Sequence, residues 1–301
     1  MEFIITALGP DHRGLADPII HDVTERGGRI AEIQMDDHDQ EQLFAMLCRV
    51  DLDAHHDQAL RAAMAEVAAK TGLAVRVWSP PIQSPPIQGS ASGTKSVDRT
   101  ARIAIAGTFL EHTPRSVLDA VKSGRINGEV VVMLSNRRRL TSLANEFNLP
   151  FECIGDDDGM ADDLAMVRLM DQYQVDYLIL ARYMRILPAS TCWQFAGGRI
   201  INLHHGLLPG FPGFRPYHDA YAARMLTFGA TCHFIIPELD AGNQTINQRT
   251  FSVLPGTPLE QIIATGQREN EPECLVEGVR RVCAGEVRLH FHRVIATGPG
   301  A

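Results

Sequence analysis

The sequence predicts an α/β protein in two parts, and three observations predict it. First, a Pro/Ser/Gly-rich stretch at residues 80–100, the body of SPPIQSPPIQGSASGTKSVDRT, separates two regions of globular composition. Second, the region ahead of it reads βαββαβ. Third, the region behind it alternates strand and helix patterns. Its runs ARIAIAG, EVVVMLS and DYLILAR are apolar on both faces, as a mostly parallel sheet covered by helices on both sides requires.

In residues 1–79 the elements follow closely. Phe3 to Leu8 is a strand, and Gly14 to Arg26 a helix stopped by Gly27-Gly28. Arg29 to Met35 and Gln42 to Val50 are strands joined by the polar turn DDHDQ. Asp53 to Thr71 is an Ala-rich helix with Asp53 as N-cap, and Leu73 to Trp78 is a closing strand. This order makes a ferredoxin-like split unit. The loop GPDHRG places Asp11, Arg13 and Gly14 at a helix N-terminus. Order and loop together resemble an ACT domain. The resemblance implies an amino-acid effector at that loop and pairing with a second copy, hence a homo-oligomer. A dimerisation module without ligand is the alternative.

In residues 101–301, strands are expected at 101–106, 129–134, 151–154, 176–181, 199–204 and 229–236. Helices are expected at 113–123, 139–148, 161–174, 188–195 and 214–226. A short strand near 247–253, one long helix over 257–283 and a last strand near 286–291 complete the chain. Arg137, Arg138 and Arg139 read as a solvated helix start.

Bulk properties exclude several functions. No apolar run approaches the roughly 20 residues that span a bilayer, and MEFIITALGPDHRG lacks the basic start and apolar stretch of a signal peptide. Six cysteines are scattered without a C-x-x-C pair, against a disulfide framework and for a reducing cytoplasm. The net charge of −8 falls mainly on residues 1–79, with seven Lys/Arg against fourteen Asp/Glu. No basic patch suggests a nucleic-acid partner.

The chemistry gathers at a strand end, where open α/β sheets bind ligands. In GRIINLHHGLLPG, side-chain alternation puts Asn202 and His204 on one face and His205 on the other. Asn202 and His204 stand about 6.5 Å apart along a regular strand, so amide and imidazole reach one small group. Downstream, GATCHFIIPELDAG ends a strand in a turn carrying Asp240, with Gly242 permitting a tight backbone. His233 within it reads as a buried, hydrogen-bonded core histidine. For His205 two roles stand open, bracing the loop through a backbone carbonyl or ordering solvent. A zinc site from His204, His205, His218, His233 and Asp240 is disfavoured, because adjacent strand histidines point apart.

The segments DYLILARYMRILPAS, INLHHGLLPGFPGFRPYHDAY and FGATCHFIIPELDAG, in that order, resemble the folate-dependent formyltransferases. The doubled histidine, ARYMRIL, RPYH and the fused ACT-like unit are most similar to the formyltetrahydrofolate deformylases. The resemblance implies a Rossmann-like catalytic domain and hydrolysis of 10-formyltetrahydrofolate to formate and tetrahydrofolate, within one-carbon and purine metabolism. It implies no metal and no cofactor beyond the folate substrate. It also implies a catalytic triad of Asn202 on the formyl oxygen, His204 as acid or electrophile, and Asp240 positioning water and tuning His204. Arg182, Tyr183, Met184, Arg185, Ile186 and Leu187 would make one wall of the substrate pocket. Ile236 to Leu239 would make the other, with His205 and Gly242 beside them. The sequence departs from the family at Gly206, where a Ser is usual, at Asn243-Gln244-Thr245, at Arg137 and in GDDDGMADD. Two further functions stay open: formyl transfer to an unidentified amine, and an amino-acid-sensing ACT protein with altered catalysis.

Overall fold

The computed structural model describes residues 1–38, 43–82, 99–236 and 244–297. The chain forms two units, Met1–Arg99 with Pro188–Gly197, and Thr100–Leu187 with Gly198–Ala301.

The first unit contains β1 (Glu2–Pro10), α1 (Asp17–Glu25), β2 (Arg29–His38), β3 (Leu43–Asp51), α2 (Asp57–Thr71) and β4 (Ala74–Trp78). Its antiparallel sheet runs β2-β3-β1-β4. Alternate residues Phe3, Ile5 and Ala7 of β1 meet Ile19, Val23, Leu60 and Met64 of the two helices in one core. Three boundaries differ from expectation. Gly14 takes a φ of 83°, outside helical space, so α1 starts only at Asp17. The expected turn DDHDQ instead continues β2 through His38, paired against β3. Asp53 caps a short 3-10 turn rather than α2 itself, accepting from the His55 amide.

The second unit contains β5 (Ala101–Ala106), α3 (His112–Lys122), β6 (Gly128–Ser135), α4 (Thr141–Glu146), β7 (Phe151–Cys153), α5 (Asp163–Gln172) and β8 (Tyr177–Leu180). The next helix, α6 (Ala189–Gln194), belongs to the first unit, where the Thr6 hydroxyl donates to the Gln194 carbonyl at 3.1 Å. The second unit resumes with β9 (Ile200–His204), α7 (Pro216–Ala222), β10 (Thr227–Phe234), β11 (Thr245–Ser252), α8 (Leu259–Thr265), α9 (Glu271–Cys283), β12 (Val287–His290) and β13 (Arg293–Ala296).

Its main sheet runs β11-β10-β9-β8-β5-β6-β7. The five strands from β9 to β7 are parallel, and β10 and β11 are antiparallel. The chain leaves β5 towards β6 on one side and later returns to β8 on the other. That switch opens a crevice at the carboxyl ends of β5 and β8. Gly107 sits in it, where a Cβ would meet Leu140 Cδ1 at 2.7 Å and the Ala181 carbonyl at 3.1 Å.

The long helix expected over 257–283 runs without a gap from Leu259 to Cys283, but not as one regular α-helix. A π-helical turn, Gly266–Asn270, separates α8 from α9. In that turn the buried Tyr217 hydroxyl occupies the space a Cβ at Gly266 would need. The last strand is one arm of a β12–β13 hairpin that the sequence reading lacked. Helix α7 is shorter than the expected 214–226, with Arg224 at a φ of 58° closing it. Arg138 and Arg139 are exposed, as a solvated turn requires, but Arg137 reaches back to the carbonyls of Asp157 and Asp158. Among the described residues, no helix is long and apolar enough to cross a membrane.

Candidate active site

A parallel and an antiparallel neighbour fix the strand end. Leu180 of β8 pairs with Asn202 of β9, and Asn202 pairs with His233 of β10. Asn202 and His233 therefore share a sheet face, and their side chains bond. The Asn202 amide nitrogen lies 3.1 Å from His233 Nε2. His233 Nδ1 lies 3.0 Å from the Phe234 carbonyl, which can only accept, so Nδ1 carries the proton and Nε2 accepts from Asn202. His233 is a buried hydrogen-bonded core histidine, and it also orients an amide at the strand end.

His204, two residues on, shares that face. Its Nε2 donates to the Phe211 carbonyl at 2.7 Å, which ties the ring to the following loop. Gly206 accounts for the fit. A Cβ there would lie 2.9 Å from His204 Nε2 and would collide with Pro216. The glycine that departs from the family pattern thus leaves room for the ring.

The loop after His205 is pinned from β10 and β11. Thr231, opposite His204, is fully buried. Its hydroxyl donates to the Gly206 carbonyl at 2.8 Å and accepts from the Leu208 amide at 3.1 Å. Gln248 Nε2 donates to the Leu208 carbonyl at 2.7 Å and to the Thr231 hydroxyl at 3.1 Å.

His205 follows directly on the end of β9. Its ring centroid lies 5.7 Å from that of His204 and 6.0 Å from that of Tyr217. Burial, then the Arg182 guanidinium and His204, push its pKa down to about 3, against the opposing effect of a hydrogen bond to the Phe214 backbone. His205 is thus neutral and backbone-bonded. Of the two roles left open, this geometry is that of a brace.

The segment after β8 is split by exposure. Met184, Arg185 and Ile186 are exposed, whereas Tyr183 and Leu187 are buried and the Arg182 side chain is 10% exposed. A chain of three hydrogen bonds holds it. The Met184 amide donates to the buried Thr108 hydroxyl at 3.0 Å, Thr108 donates to Asn136 Oδ1 at 2.8 Å, and Asn136 Nδ2 donates to the Gly159 carbonyl at 2.7 Å. The loop GDDDGMADD is tied in at the same place, because Arg137 clasps its Asp157 and Asp158 carbonyls. Ile236, the last described residue after β10, is buried. Leu239, Asp240 and Gly242 lie outside the described residues.

Sequence reasoning missed Thr108, Asn136, Thr231, Tyr217, Gln248 and Glu271. For Thr108 and Asn136 a signal existed, because each is a polar residue just past the apolar run of a parallel strand. Glu271 carries no local signal, since its partners Tyr217 and Arg182 are distant in sequence. Among the described residues, no His/Cys/Asp/Glu trio comes together in a metal-holding arrangement.

Residues 101–279 match the formyl transferase family and residues 2–78 the ACT domain family. The chain is 34% identical over 201 residues to a formyltetrahydrofolate deformylase of Synechocystis sp., covering 66% of each chain. It is 30% identical over 299 residues to that of Corynebacterium sp., covering 97% of this chain and 96% of the relative. The crystal structure of a formyltetrahydrofolate deformylase from Pseudomonas syringae pv. tomato has the same fold. Its TM-score is 0.63 at 24% identity, over 99% of this chain and 95% of that one.

Proposed function

The chain belongs to the formyl transferase family and, within it, to the formyltetrahydrofolate deformylases, and from that premise we propose that it hydrolyses 10-formyltetrahydrofolate to tetrahydrofolate and formate. Water adds through oxygen to the formyl carbon, the carbon–N10 bond breaks, and N10 takes a proton. Asn202 holds the formyl oxygen through the amide N–H that His233 does not use. Developing charge on that oxygen meets a donor already oriented, so little reorganisation is needed as the reaction proceeds. His204 serves as acid or electrophile beside it, exchanging its bond to the Phe211 carbonyl for the reacting group. Asp240 positions the water and tunes His204. The exposed Met184 to Ile186 stretch, held by Thr108, contributes a pocket wall, with Ile236 to Leu239 opposite. The observation that carries this reading is the Asn202–His233 bond at the end of β9, with His204 on the same face.

The ACT unit takes an amino-acid effector at the exposed loop of Asp11, Arg13 and Gly14, and the protein works as a cytoplasmic homo-oligomer without a cofactor. The test is incubation with 10-formyltetrahydrofolate alone. Formate release without added amine is expected. Release only when an amine is added would replace the hydrolase with a transferase.

A further inference from the structure

The sheet of the ACT unit is buried on both faces. Antiparallel sheets commonly leave one face to water, so that buried and exposed residues alternate along a strand. Here Phe3 to Leu8 of β1 and Phe44 to Val50 of β3 are buried without alternation. Phe3, Ile5 and Ala7 face α1 and α2. Ile4 and Thr6 face the other way, onto the segment Pro188–Gly197 that the first unit takes from the far half of the sequence. A Cβ at Gly197 would lie 3.0 Å from two Ile4 methyl groups and 3.4 Å from Leu47 Cδ1, so the backbone lies directly on the sheet. The Thr6 hydroxyl donates to the Gln194 carbonyl at 3.1 Å. Arg76, opposite Thr6 on β4, holds its guanidinium 5.5 Å from the centroid of the Phe195 ring.

This seat is what makes α6 a helix. It has six residues and no side-chain cap, and a helix shorter than about 12 residues has little stability of its own. Thr191 to Ala196 are all buried, so packing supplies what length does not.

The two ends of the segment lead to the two halves of the proposed site, and they depend on the seat unequally. Beyond Gly197 the chain enters β9, which is bonded to β8 on one side and to β10 on the other. Asn202 and His204 are therefore fixed by the sheet whatever α6 does. Ahead of Pro188 runs the wall Met184 to Leu187, whose first three residues are exposed. Thr108 holds it at the Met184 amide, and α6 carries its other end.

We propose that Ile4 and Thr6 of the ACT unit are positioning residues for the proposed hydrolysis: by seating α6 they set the far end of the Met184–Leu187 wall, and with it the affinity for the folate. The inference rests on the deformylase reading above, which makes that segment a pocket wall. The test compares formate release from 10-formyltetrahydrofolate by full-length wild type, Thr6→Val, Thr6→Ser, Ile4→Ala and Ile5→Ala, each checked for folding by circular dichroism. Thr6→Val and Ile4→Ala should raise KM about three- to tenfold, the order that leaving one segment to be ordered on binding costs. Their kcat should be largely unchanged, because β9 keeps its place. Thr6→Ser, which keeps the hydroxyl, should return KM to near the wild-type value. Ile5→Ala is the control, since Ile5 is as deeply buried as Ile4 but on the helix side of the same strand. It should lose stability while keeping KM. If either alanine variant fails to fold, Ile4→Val and Ile5→Val make the same comparison, and only the first should raise KM. A wild-type KM in folded Thr6→Val or in the folded Ile4 variant overturns the inference. So does an Ile5 variant that raises KM as much as its Ile4 counterpart, or a Thr6→Ser no better than Thr6→Val. Wild type that releases no formate overturns the deformylase reading and this inference with it.

Discussion

The Asn202 side-chain amide donates to Nε2 of His233 across two antiparallel strands at 3.1 Å, and that bond decides which way the amide faces. His233 can accept there because its Nδ1 proton is spent on the Phe234 carbonyl. Without the acceptor, the amide is free to rotate and present oxygen where a donor is needed. His233→Ala should lower kcat about ten- to a hundredfold with little change in KM, since the loss falls on an interaction strengthened in the transition state. His233→Gln, whose side-chain oxygen accepts, should recover part of the rate. Steady-state kinetics of the three proteins check this, and an unchanged kcat in a folded His233→Ala would refute it.

Asn202 and His204 themselves should matter more. Truncating one donor to a developing oxyanion costs roughly 100- to 1,000-fold in rate. Asn202→Ala and His204→Ala should each show losses of that size in formate release, and Asp240→Asn a loss of similar order. Neither Asn202 nor His204 is fully buried, so their variants should unfold near the wild-type temperature. Near-wild-type turnover in either would remove that residue from the mechanism.

Much of the frame around these residues was legible. The runs ARIAIAG, EVVVMLS and DYLILAR are doubly apolar because β5, β6 and β8 are covered on both faces, and such runs need no partner to be recognised. What escaped depended on tertiary neighbours. At the π-helical turn, Tyr217, a residue on another helix, fills the space beside Gly266. Helical periodicity runs through α8 and α9 without recording that intrusion. Helix α6 reads as an ordinary member of the alternation, and local pattern carries no trace of its membership of the first unit. His233 was legible as a core histidine, but its hold on Asn202 depends on the register between β9 and β10.

Thr231 tests how the loop after β9 is held. Its hydroxyl serves the Gly206 carbonyl, the Leu208 amide and Gln248 at once, with no exposed surface. Thr231→Val keeps the shape and strands the Leu208 donor in a dry site. Leaving a buried polar group unsatisfied costs about 1–3 kcal/mol, so denaturant unfolding should show a loss of that size. Gln248→Ala should cost less, because Gln248 is itself exposed and Thr231 keeps its bonds to Gly206 and Leu208. Equal losses in the two variants would mean that the loop is not anchored through Thr231.

His205 offers a test in which the sign is set by burial. Its folded pKa is depressed from 6.5 to about 3, first by burial and then by Arg182 and His204. The unfolded chain takes up a proton below pH 6.5 and the folded protein does not. Its neutral state therefore carries no penalty above pH 6.5, and stability is lost as pH falls from 6.5 towards 3. The slope from this one group is at most about 1.4 kcal/mol per pH unit. Between pH 7 and 5, the His205 ring resonances should stay unshifted in NMR spectra. His205→Gln should flatten the loss of unfolding free energy on acidification over the same range. It should also lower stability at neutral pH where the Phe214 bond is lost, while leaving turnover largely in place. A His205 resonance that titrates near pH 6.5 would mean that solvent reaches the ring, and the brace would have to be given up for a role in ordering water.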